Sequence, residues 1–206
     1  MTAFIVFGWR MPFASNRVPD GLHDAFGHRG RRGVVFLHGF ICNRGLWTPW
    51  MLELTQQRRA FVAVNLEPVF GSIDAYAMQV EEAVDKVTAA TGMPPIMICH
   101  SMGGLAARAW LRAAGGNGQR VHHIITIGTP HHGTVLGGHR YPVNAMQMGR
   151  HSAWLLELGE SENGPLRALF TCYYSNSDNI VFPASTATLE GADNRLVPGV
   201  PHLALA

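Results

Sequence analysis

Five short apolar runs recur along this chain, and helical stretches separate them. They are Val34-Val35-Phe36-Leu37, Phe61 to Leu66, Pro95-Ile96-Met97-Ile98-Cys99, Val121 to Ile127 and Leu169 to Tyr174. The first and third are continuous rather than alternating, as expected of strands buried on both faces of a parallel sheet. Between them lie helical patterns. Trp47, Trp50, Met51 and Leu54 share one face, and Ile73, Tyr76, Ala77, Val80, Val84 and Val87 form a stripe behind a Ser72 cap and end at Gly92. Strand-helix alternation of this kind implies a parallel sheet covered on both faces and linked by right-handed crossovers.

In such sheets the reactive groups collect at the carboxyl ends of the strands. His38-Gly39-Phe40, Ser101, Thr129-Pro130-His131 and Asp178 all fall just after a strand. Ser101 stands at a sharp corner between the run ending at Cys99-His100 and the helix beginning Met102-Gly103-Gly104-Leu105. A corner holds a hydroxyl out of the backbone, and the helix N-terminus beneath it favours negative charge.

A serine hydroxyl needs a base and a group to orient that base. With 11 histidines, histidine alone is no evidence. His100 is adjacent to the serine and leaves the corner in a different direction, while His122 and His123 begin a strand. His131 and His132 follow a strand and are placed to line a site. His202 lies on a loop downstream of every carboxylate. Of the acids, Asp178 is the first choice, in the turn after Tyr174. Asp193, in a polar loop with Glu190, is the alternative. The order Ser101, Asp178, His202 is that of a nucleophile-elbow hydrolase. Oxyanion donors are expected from the N–H groups of Phe40 and Met102.

Together, Phe36-Leu37-His38-Gly39-Phe40, Cys99-His100-Ser101-Met102-Gly103-Gly104, Ile127 to Thr134, Asp178 with Val181 and Pro183, and His202 resemble lipases and esterases of the α/β-hydrolase superfamily. The resemblance covers the chain from Gly33 to its end. It implies an α/β-hydrolase fold with a minimal, mostly parallel sheet of about six strands, helices on both faces and a short lid-like insertion. It also implies carboxylic-ester hydrolysis through an acyl-enzyme on Ser101, with Asp178 and His202, and no metal or organic cofactor. Substrate contact is assigned to His38, Gly39 and His100 and, in the insertion, to Met146 and Trp154. An ordinary packed helix explains the apolar residues near Trp154 equally well. The pattern departs from G-x-S-x-G at Cys99, and the chain stops soon after His202.

The remaining expectations are broader. The chain reads as one domain over residues 1–206, with an irregular lead-in at 1–33 and a lid or cap insertion at 134–165. Charged residues make up 15% and the net charge is +2, which disfavours disorder and offers no stripe for nucleic acid. Arg29, Arg31 and Arg32 read as a solvated loop. No H-E-x-x-H helix or zinc-finger spacing supports a metal despite the paired histidines. Three cysteines point to a reducing compartment, and no run is long enough for a membrane span or signal, so a cytoplasmic protein acting on a small-molecule or lipid ester is expected. Thioesterase, acyltransferase or amidase activity on the same scaffold, and a non-catalytic ligand-binding relative, are the alternatives. Oligomeric state is not readable.

Overall fold

The computed structural model describes residues 17–22, 25–138 and 142–206. Its centre is one sheet of β1 (Val34–Leu37), β2 (Phe61–Val64), β3 (Ile96–His100), β4 (His123–Ile127), β5 (Phe170–Tyr174) and β6 (Asp193–Leu196). The strands are all parallel, in the order β2-β1-β3-β4-β5-β6. The helices are α1 (Ala25–His28), α2 (Thr48–Gln56), α3 (Ala77–Thr91), α4 (Met102–Ala113), α5 (Val143–Gln147), α6 (Ala153–Glu160) and α7 (Gly164–Arg167). This is the α/β-hydrolase fold in six-strand form.

The continuous apolar runs are explained by two covered faces. Val35, Leu37, Val62, Val64, Met97 and Cys99 point toward α3 and α4, while Val34, Phe36, Phe61, Ala63 and Ile98 join Trp47 and Met51 on the other side. With both faces buried, no alternation is left to see. Residues 18–22 seal the β2 edge: Gly21 N–H donates to Phe61 C=O at 3.0 Å, and the Asp20 carboxylate accepts from Ala63 N–H at 3.1 Å and pairs with Arg44.

β6 was not expected as a strand. Its four residues are exposed and polar or charged except for Leu196, so nothing in its pattern marks it. Backbone pairing with β5, Thr171 opposite Asp193 and Tyr174 opposite Leu196, makes it a strand. The helix expected from Ser72 is also there, opening with a 3-10 turn (Ile73–Tyr76) and ending at Gly92 with φ 72°.

The insertion is tied to the body. Asn144 Nδ2 donates to Val69 C=O at 2.8 Å, Ile73 N–H donates to Gln147 Oε1 at 2.8 Å, and Leu155 and Leu158 enter the main core. Beyond α6, Glu162 meets Arg108 of α4 in a bidentate pair of 2.6 and 2.8 Å, both side chains buried. α6 thus rests on the core through Leu155 and Leu158, while Leu156 is exposed.

Register decides where the site forms. Leu37 lies opposite Val64 and Cys99, His100 opposite Ile127, and Ile127 opposite Tyr173, so the strands end level. Strand order reverses between β1 and β3, and the loops after these two strands open the crevice where such sheets bind ligands.

Candidate active site

Ser101 occupies the corner between β3 and α4 with φ 53° and ψ −126°, a conformation costing a non-glycine residue about 1–3 kcal/mol. Three hydrogen bonds hold it. Ser101 N–H donates to Ile127 C=O at 2.9 Å, and its carbonyl accepts from Thr129 Oγ1 at 2.8 Å and Gly104 N–H at 3.1 Å. Cys99, one position before His100, is fully buried between Leu37 and Thr126, where a compact side chain is accommodated. Burial raises its thiol pKa, so it stays protonated.

Asp178 and His202 form the centre of the charge arrangement. Asp178 Oδ2 accepts from His202 Nδ1–H at 2.8 Å, and Oδ1 accepts from the N–H groups of Ile180 at 2.9 Å and Val181 at 2.8 Å. Burial alone would raise the Asp178 pKa, but the His202 hydrogen bond and charge, with the two N–H donors, turn the net shift downward. The carboxylate is thus ionised at neutral pH, so His202 Nδ1 carries the proton it donates to Asp178.

The turn carrying Asp178 also carries the loop of His202. Gly199 N–H donates to Asn176 Oδ1 at 2.9 Å, Val200 N–H to Ser175 Oγ at 3.2 Å and His202 N–H to Asn179 Oδ1 at 3.3 Å. Ser175, Asn176 and Asn179 lie in the turn after Tyr174 that carries Asp178. The clustering of short polar side chains around Asp178 was their one visible signal.

His202 stands over Gly128, where a Cβ would come within 3.1 Å of its ring and 3.2 Å of Asp178 Oδ2. Gly128 lies between Ile127 and Thr129, the two residues that hold the Ser101 main chain. Asp178, His202 and Ser101 therefore share one short piece of scaffold. Ser101 Oγ makes no direct hydrogen bond to His202; such bonds often tighten only when substrate binds.

The loop after β1 closes the other side. Gly39 approaches the serine so closely that a Cβ there would lie 2.9 Å from Ser101 Cβ and 3.4 Å from its Oγ. The next N–H is that of Phe40. Neither it nor the Met102 N–H, which opens α4, has a backbone acceptor among the described residues.

Other assigned residues take different places. His38 is buried with both ring nitrogens used: Nε2 accepts from Leu66 N–H at 3.0 Å and Nδ1–H donates to Gly39 C=O at 2.9 Å. Burial lowers its pKa to about 4. It braces the loop and keeps no nitrogen for a ligand. His100 is also buried, with Nε2–H donating to the main-chain carbonyl of His202 at 3.2 Å. Trp154 donates to Asp74 at 2.8 Å beneath the Arg112 guanidinium, and Met146 is solvent-exposed on α5. His131 is a core residue whose Nε2 meets Thr126 Oγ1 at 3.1 Å and Cys172 Sγ at 3.4 Å. Asp193 pairs with Arg195 on the exposed edge strand, away from His202.

The family model described as PGAP1-like alpha/beta domain matches residues 62–179, more than half of the 206-residue chain. No curated protein matches. Among solved structures, the mature form of Bacillus licheniformis lipase BlEst2 aligns with TM-score 0.71 and 15% identity, over 86% of this chain and 88% of that one. Aspergillus fumigatus lipase B aligns with TM-score 0.66 and 21% identity, over 82% of this chain, which spans 45% of the fungal chain's length. A Paleococcus ferrophilus monoacylglycerol lipase gives TM-score 0.59 and 11% identity, over 86% and 88% of the two chains. At these identities the likeness concerns the fold. The family match concerns the chain itself, which belongs to the PGAP1-like alpha/beta domain family of α/β-hydrolases.

Proposed function

We propose that this protein is a serine hydrolase that cleaves carboxylic esters through an acyl-enzyme on Ser101. The observation carrying this reading is the buried 2.8 Å hydrogen bond from His202 Nδ1–H to Asp178, set over the scaffold that holds Ser101 in its strained corner. Ser101 Oγ attacks the ester carbonyl carbon while His202 Nε2 takes its proton. Asp178 holds the tautomer and stabilises the imidazolium. The carbonyl oxygen becomes an oxyanion facing the N–H groups of Phe40 and Met102, the latter at the positive end of α4. As the intermediate collapses, His202 returns the proton to the departing alcohol. Water, activated by the same histidine, then attacks the acyl carbon and frees Ser101. The names of the structural neighbours, lipases among them, support an ester as substrate.

The test is hydrolysis of p-nitrophenyl acyl esters of increasing chain length, with Ser101→Ala as control and a fluorophosphonate probe as active-site label. Loss of the nucleophile should lower kcat by at least about three orders of magnitude and abolish labelling. Undiminished turnover in Ser101→Ala would overturn the proposal. Turnover of thioesters or amides in preference to oxygen esters would move the leaving-group assignment.

A further inference from the structure

We infer that His100, the residue before the nucleophile, is a positioning residue for His202: its Nε2–H holds the His202 main-chain carbonyl while its ring packs against the His202 ring. This rests on the role proposed for His202. Strand alternation explains how it arises. Cys99 faces α3 and α4, so His100 faces the other way, with Ile98 and Ile127, toward the side where Leu205 and Ala206 pack. The C-terminal tail carrying His202 passes over that same side. Residue 100 is thus delivered to residue 202 across the sheet.

The contact is specific. The ring centroids are 4.7 Å apart, tilted by 48°, and the Nε2-to-carbonyl distance is 3.2 Å. A proton on Nδ1 instead would set an Nε2 lone pair against the carbonyl lone pairs. The ring's one proton therefore sits on Nε2. Burial, with the His202 charge adding to it, lowers the His100 pKa to about 3, so the ring stays neutral when its neighbour becomes cationic. Two imidazoles this close cannot both carry charge. Keeping one neutral leaves the other free to cycle.

The remaining nitrogen explains why this is more than core packing. His100 Nδ1 is buried and has no hydrogen-bond partner among the described residues. An orphaned buried acceptor is costly, and an apolar side chain of similar size would avoid that cost. A requirement for stability alone would disfavour histidine here. The Nε2–H and its hold on His202 are what histidine adds.

Beyond the bonds that hold its loop at Gly199 and Val200, His202 itself is held at few points. Its N–H meets Asn179 at 3.3 Å, its ring meets Asp178, and its carbonyl otherwise receives a long 3.4 Å contact from Leu205 N–H. The His100 donor therefore limits rotation of the peptide that carries the base.

Two variants test this. His100→Phe keeps a flat ring and removes the donor, whereas His100→Gln removes the ring and keeps an N–H at the Nε2 position. In the phenylalanine variant kcat on a soluble p-nitrophenyl ester should fall about tenfold, with KM within about twofold and little change in Tm. The far-downfield proton resonance of the His202–Asp178 hydrogen bond should shift or broaden. The glutamine variant should recover part of kcat. If the phenylalanine variant does not fold, His100→Leu takes its place. Unchanged kcat and resonance in a folded donorless variant would overturn the inference, as would a glutamine variant as impaired as the apolar one. If Ser101→Ala retains turnover, the functional proposal itself has failed. If that control is inactive and the His100 variants behave as wild type, the inference alone has failed.

Discussion

Replacing Arg108 with methionine asks whether the insertion is held by charge or by shape. Arg108 and Glu162 are 2% and 3% exposed at the side chain, and their two hydrogen bonds are 2.6 and 2.8 Å long. Arg108 Nη1–H also donates to His131 C=O at 3.0 Å. Removing the guanidinium leaves a carboxylate in the interior with Arg167, 3.7 Å away, as its nearest remaining cation among the described residues. Breaking a buried pair from one side costs about 3–5 kcal/mol. For a chain of this size each kcal/mol moves Tm by roughly 2–4 °C, so a fall of about 10 °C is expected. Glu162→Leu should cost a similar amount by stranding the arginine. The double variant removes both charges and leaves the His131 carbonyl short of a donor, a residual of about 1–2 kcal/mol. Urea unfolding of the four proteins forms a double-mutant cycle, with an expected coupling of at least about 2 kcal/mol. A single variant within about 1 kcal/mol of wild type, or a double variant as damaged as the two singles added, would refute the reasoning.

Three further outcomes follow from the site. Gly128→Ala should lower kcat severely, because φ 59° and a Cβ within 3.1 Å of His202 both oppose the side chain; a normal kcat would separate Gly128 from the base. Thr129→Val removes the donor to the Ser101 carbonyl and should reduce kcat about fivefold, read as loss of fluorophosphonate reactivity in a protein with nearly unchanged circular dichroism. The third concerns acid. His38 is lowered from 6.5 to about 4, so between these values the unfolded chain binds the proton that the folded chain refuses. Stability should fall as pH drops from 6.5 toward 4, by about 3 kcal/mol from this residue. The depressed Asp178 adds a further loss below its ordinary range. His38→Gln should lessen the upper part of that slope by one residue's share, with His100 and His131, whose pKa values burial also lowers, supplying the rest. A urea midpoint that does not change between neutral pH and 4.5 in wild type would contradict it.

What could be read from the chain, and what could not, follows from how local each cause is. The inner strands were legible because a strand covered on both faces is apolar at every position, as Val34 to Leu37 is. β6 was not, because Asp193 to Leu196 is a strand through β5's hydrogen bonds and not through its own side chains. Ser101 and Asp178 could be placed because both follow a strand end, and in a parallel sheet strand ends meet. From the sequence His100 is expected to touch substrate, and its contact with the His202 carbonyl was not legible, for the opposite reason. Its neighbour in sequence is Ser101, but its partner is 102 positions away, across a face that strand alternation alone selects. The Trp154 contact was hidden in the same way, since its indole N–H meets Asp74, 80 residues earlier. Local patterns thus placed the groups proposed to react. The groups that hold them, Asn176, Asn179, Thr129 and His100, act through register, and register exists only once the strands have paired. A substitution at these holders should therefore lower kcat with little change in KM, whereas one at Gly39 or Phe40, which border the reacting atoms, should alter both.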